Sequence, residues 1–158
     1  MSLKVENISF RYGKRLILDD ISFSVATGSV MALLGQNGTG KTTLLKSLCS
    51  ILEPFAGKSC VDGENLFEMP VGKRAKYVAY VPQHMGNIFP VRVVDAVMMG
   101  RMPFVRFNPG KKDKELVYEL IEKMELERYA FTKITELSGG ERQRVFIARA
   151  LAADPAAG

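Results

Sequence analysis

Histidine, cysteine and long apolar runs are all scarce in this chain of 158 residues, and each shortage narrows the functions open to it. The single histidine, His84, reads as a surface or packing residue. Cys49 and Cys60 lack metal-ligand spacing, and Cys49 lies among the apolar residues of a helical stretch, so reduced core cysteines are expected. The longest unbroken apolar runs, Val30 to Leu34 and Tyr77 to Val81, are five residues each, far short of the roughly 20 that span a bilayer. Met1 to Glu6 has none of a signal peptide's pattern, so the reading is a soluble, cytosolic chain. The net charge of +5 comes from scattered basic residues, including Lys111-Lys112 at a probable helix start. That pattern fits a solvated face, and no nucleic-acid partner is expected.

What is present is enough for a core: 47% hydrophobic content in a length that suits one ordinary domain. The stretch that organises it is Gly35 to Thr43, GQNGTGKTT. The apolar run Val30 to Leu34 before it has the make-up of a buried strand. Leu44, Leu45, Leu48, Ile51 and Leu52 after it recur at helical spacing. A G-x-x-x-x-G-K-[ST] pattern placed between strand and helix is the form of a phosphate-binding loop. Gly35, Gly38 and Gly40 let the backbone approach a ligand closely, so that successive N–H groups point at phosphate oxygens. The helix dipole reinforces that field. Lys41 supplies a mobile charge for the β- and γ-phosphates, and the Thr42 hydroxyl a ligand for Mg²⁺.

Two amphipathic strands precede the loop, Leu3 to Phe10 and Leu16 to Val25, joined by the turn at Gly13. Tyr12 stands at the end of the first, where its ring either packs on the sheet or stacks on a base. After the loop helix, Lys58 to Val61 is a short strand, Asp62-Gly63 a turn, and Glu64 to Met69 a short helix ending at Pro70. Tyr77 to Val81 is apolar on both faces and reads as a central strand of a parallel sheet. It stops at Pro82-Gln83, where the Gln83 amide either serves a metal or an attacking water or is a plain loop residue. From Met85 onward the pattern turns helical: Val93 to Met99, then a helix opened by Asn108-Pro109-Gly110 with Leu116, Val117, Leu120, Ile121 and Met124 on one face. Met98, Met99, Met102, Phe104 and Phe107 fit core packing first and a docking surface second.

Leu137-Ser138-Gly139-Gly140-Glu141 is the second constellation. Ser138 and Glu141 form an S-x-x-E capping box at the head of a helix running towards Asp154-Pro155. Gly139 and Gly140 in its first turn cost the helix about 1 kcal/mol each, which makes sense where a phosphate must approach the backbone.

Taken together, the phosphate loop, Tyr12, Gln83 and LSGGERQRVFIARAL resemble the ATP-binding subunit of an ABC transporter. The resemblance implies an α/β fold of the P-loop NTPase, ABC-type ATPase class, with a β-layer, a parallel-sheet core and a helical subdomain. Residues 1–84 would form the β-layer and nucleotide-binding core, and residues 85–158 the helical subdomain with the signature motif. It further implies ATP and Mg²⁺ as cofactors. Tyr12 would stack on adenine. Gly35, Gln36, Asn37, Gly38, Thr39, Gly40, Lys41, Thr42 and Thr43 would hold the phosphates, and Thr42 and Gln83 the metal. Lys41 and Gln83 would act in catalysis. Ser138, Gly139, Gly140 and Glu141 would form the signature, which in this family caps the γ-phosphate held by a second, head-to-tail ATP-binding subunit. Glu141 stands where the family's commonest form has glutamine. Transmembrane permease subunits are the implied partners, and the inner face of the cell membrane the implied location.

Ala79 to Gln83 and Asp95 to Arg101 look most like importers of iron–siderophore, haem or cobalamin. The family continues beyond the signature helix into a strand ending in Asp-Glu, so the fold is expected to be incomplete at the C-terminus, without the general base. An ABC-type ATPase of DNA repair or translation is the alternative. Lys41 and Ser138 are 97 positions apart with no heptad run between them, unlike the long coiled coil of the repair relatives. The last alternative is a nucleotide-binding fragment without turnover.

Overall fold

In a computed structural model, which describes residues 1–83, 89–105 and 107–153, the chain divides into two compact units, Met1–Arg74 and Ala75–Gly158. In the first, β1 (Leu3–Tyr12) and β2 (Arg15–Val25) form an antiparallel hairpin whose turn brings Tyr12 opposite Arg15, with Gly13 at φ 57°. A positive φ in a two-residue connection matches the twist of the flanking strands. The ladder shifts register between Val5 and Ile8, where Asn7 takes φ 52°. That bulge turns Val5, Ile8 and Phe10 to one buried face although Val5 and Ile8 are an odd number of residues apart. β3 (Ala56–Val61) pairs antiparallel with β1, and the two-residue β4 (Glu64–Asn65) with β3, giving the order β2-β1-β3-β4.

α1 (Lys41–Leu48) lays Leu44 and Leu48, one turn apart, against the buried sheet residues Val5, Ile8, Phe10 and Leu18. Burying each such side chain contributes about 1.5–3 kcal/mol, so this cluster fixes the loop at the head of α1 to the β-layer.

Three expected elements differ. Val30 to Leu34 is not a strand: Val30 is 98% and Leu34 91% exposed. Tyr77 to Val81 is not a strand either. A strand exists only where a neighbour completes its hydrogen bonds, and no described segment pairs with either run. Every pairing among the described residues is therefore antiparallel, and the parallel-sheet core read from the sequence is not formed among them. The third is Glu64 to Met69, which contributes β4 and turns instead of a helix. Pro70 opens a helix, α2 (Val71–Arg74), and its carbonyl accepts from the Lys73 and Arg74 N–H groups. Its fixed φ suits a helix start.

The second unit is helical: α3 (Val93–Met98) runs into a 3₁₀ turn at Met99–Arg101, followed by α4 (Lys111–Lys123) and α5 (Gly139–Ala152). Leu116, Val117, Leu120 and Ile121 of α4 meet Val93, Ala96 and Val97 of α3 and Val145, Ala148 and Ala152 of α5 in one core. The exposed side chains of Met99, Met102 and Phe107 lie outside that core, whereas Met98 packs against it. His84 and Asp154-Pro155 lie outside the described residues.

Arg101 locks the unit. Its side chain is almost wholly buried, its Nε donates to Asp113 Oδ1 at 2.9 Å, one terminal nitrogen donates to the Ala152 carbonyl at 3.0 Å, and its guanidinium stacks over Phe104. Gly100 beside it has no room for more: a Cβ there would stand 2.1 Å from the Arg149 carbonyl oxygen.

Candidate functional site: a phosphate loop and a capped helix head

The loop from Gly35 to Gly40 leads into α1 at Gly40, which has φ 91° and no side-chain cap. Two constraints disfavour any other residue at Gly40. Its conformation is left-handed, and an added Cβ would meet Ile17 Cγ2 at 3.1 Å and Leu18 Cδ2 at 3.2 Å. No acidic residue occupies the first turn of α1, so its leading N–H groups and dipole are left for an anion.

Lys41 is folded back over the loop, its Nζ donating to the carbonyls of Gly35 at 2.8 Å and Gln36 at 2.7 Å. Thr39 Oγ1 donates to the same Gln36 carbonyl at 2.9 Å. The lysine thus holds the loop closed on its own carbonyls. Gln36, Asn37, Gly38 and Thr42 are exposed along this surface, and Thr43 is half-buried. A cleft of about 320 Å³ beside them is lined by Ile17, Leu33, Leu34, Gly35, Thr39 and Lys41, among others.

Tyr12 is 52% exposed, its ring set edge-to-face against Phe10 with centroids 4.8 Å apart. Phe10 fixes the ring while leaving half of it accessible. Gln83 is exposed at a bend. Tyr12 and Gly35 to Thr43 belong to the first unit, and Gln83 and Ser138 to Glu141 to the second.

At the head of α5 the capping box is formed as the S-x-x-E spacing requires. The Glu141 N–H donates to Ser138 Oγ at 3.3 Å, and the Ser138 N–H donates to Glu141 Oε2 at 2.8 Å. The Ser138 hydroxyl also donates to Glu141 Oε2, at 2.7 Å. A residue that the sequence reading missed completes the arrangement. Tyr129 first, and then the Ser138 hydroxyl and N–H, hold Glu141 down at about 2, while Glu141 pushes the Tyr129 hydroxyl above its usual range. Arg128 stacks on the Tyr129 ring at 4.6 Å. Tyr129 and Glu141 are twelve positions apart across two elements, so no local spacing could have revealed the pair.

The family model described as "ABC transporter" matches residues 18–157, nearly nine-tenths of the chain. The chain belongs to the ABC transporter ATP-binding family. Among its relatives, the ATP-binding protein MntB of a manganese transport system in Halalkalibacterium halodurans is 42% identical, covering 95% of this chain and 59% of its own. A "probable iron chelatin transport ATP-binding protein" of Helicobacter pylori is 38% identical, covering 96% of this chain and 60% of its own. A solved ATP-binding subunit of an ABC transporter superposes with a TM-score of 0.83 at 25% identity, covering 97% of this chain and 62% of that one. This ABC ATP-binding segment thus spans about 60% of the length of the relatives it matches.

Proposed function

We propose that the protein is the ATP-binding subunit of an ABC importer and couples ATP binding and hydrolysis to uptake of a metal ion or metal chelate. The observation that carries this reading is the loop Gly35 to Thr43 at an uncapped, acid-free helix N-terminus with Lys41 poised over it. Phosphate oxygens take the place of the Gly35 and Gln36 carbonyls at Lys41 Nζ, while the loop and α1 N–H groups bind the remaining oxygens. Tyr12 offers its exposed ring to the adenine.

By the family resemblance, Thr42 Oγ1 and Gln83 Oε1 would be the oxygen donors to Mg²⁺, a hard cation. When bound, Mg²⁺ neutralises charge on the phosphates. Lys41 adds a fixed positive charge, and Gln83 orients the attacking water. Ser138, Gly139 and Gly140 present the head of α5 to the γ-phosphate of a second subunit in a head-to-tail pair.

No described helix is long and apolar enough to cross a membrane. In this reading the subunit is cytoplasmic and peripheral, driving separate transmembrane permease subunits. The metal cargo is supported by the names of the manganese and iron-chelatin relatives and by Ala79–Gln83 and Asp95–Arg101, whose pattern points to iron–siderophore, haem or cobalamin uptake. Isothermal titration with ATP and Mg²⁺ tests the nucleotide site: binding that survives unchanged in Lys41→Ala refutes it.

A further inference from the structure

The box at the head of α5 has one feature that helix capping does not need. A capping box uses Ser138 Oγ as an acceptor and Glu141 as an acceptor, yet here the single hydroxyl proton of Ser138 is also spent on Glu141 Oε2. A phosphate oxygen is an acceptor only, so it requires that same proton from Ser138. The Ser138 N–H is directed at the same carboxylate oxygen.

We infer that Glu141 is a gating residue for the incoming nucleotide: its carboxylate occupies the Ser138 hydroxyl and amide, and a γ-phosphate engages Ser138 only by displacing it. The inference rests on the signature role proposed above and adds the residue that sets how readily that role is taken up. Ser138 is exposed, so a ligand can reach it, while Glu141 is half-buried. The carboxylate is ionised at any working pH, so protonation does not release it and the side chain must swing away. Until it does, its charge also opposes the phosphate. A glutamine at 141 is isosteric and keeps an acceptor for the Ser138 amide, but it carries no charge and leaves the hydroxyl proton easier to redirect.

The test is steady-state phosphate release with ATP and Mg²⁺, on the subunit completed to its relatives' length. Glu141→Gln lowers the KM for ATP about five- to tenfold, a larger change than any in kcat. In a Ser138→Ala background the Glu141→Gln advantage disappears. A residue that merely caps α5 predicts an unchanged KM for Glu141→Gln, so a KM within twofold of wild type, or raised, overturns the inference. The same holds if the advantage persists without the Ser138 hydroxyl. Wild-type protein lacking Lys41-dependent turnover refutes the function itself, a result visible before any KM is compared, and this inference falls with it.

Discussion

Lys41 is the residue whose removal has the largest calculable effect. In the free protein its ammonium is bound to two carbonyls, at 2.8 and 2.7 Å from Gly35 and Gln36, and in the complex it exchanges them for charged phosphate oxygens. A hydrogen bond between charged groups is worth about 1.5–3 kcal/mol net, against about 1 for one between neutral groups. Two such exchanges at a partly exposed site give a binding loss of about 2–3 kcal/mol for Lys41→Ala, or about 30- to 150-fold in Kd. The fold should survive, because the Gln36 carbonyl keeps its bond from Thr39 Oγ1 and the surface-exposed Gly35 carbonyl turns to water. Titration calorimetry with ATP and Mg²⁺, paired with thermal unfolding, separates the two effects. An affinity within threefold of wild type would refute the argument, as would a loss of binding explained by an unfolded variant.

Gly100→Ala should lower Tm by about 5–10 °C, because its Cβ would stand 2.1 Å from the Arg149 carbonyl and overpacking costs about 1–3 kcal/mol; differential scanning calorimetry checks it. The Arg101 guanidinium and then the Gly110 N–H hold Asp113 below the usual carboxylate range. Its native value being lowered, it stabilises the fold above its unfolded value and stops doing so as pH falls through the native one. Asp113→Asn should therefore be less stable than wild type near neutral pH, with the difference shrinking as pH falls, in acid unfolding followed by circular dichroism, and Arg101→Met should destabilise by about 2–4 kcal/mol because Asp113 Oδ1 and the Ala152 carbonyl lose their buried donor. Replacing Gly139 by phenylalanine should abolish phosphate release by the completed subunit while ATP titration changes little, since in the proposed head-to-tail pair α5 acts on a nucleotide held by the other subunit.

Features built within one turn or loop were legible from residue order. The phosphate loop needs only glycines, a lysine and a helix start at fixed spacing. The capping box needs Ser138 and Glu141 three apart, and α4 buries Leu116, Val117, Leu120 and Ile121 because helical spacing puts them on one stripe. The family could be recognised from these pieces for the same reason. Elements whose existence depends on a neighbour were not legible. Val30 to Leu34 has the composition of a buried strand, but composition supplies no partner for its backbone, and Val30 stands in solvent. The bulge at Asn7 rephased β1 through its pairing with β2. Arg101 found the Ala152 carbonyl 51 residues away. Local chemistry is written in adjacent residues, whereas strand pairing and the buried Arg101 bonds arise only when folding brings distant donors and acceptors within 3 Å or so of each other.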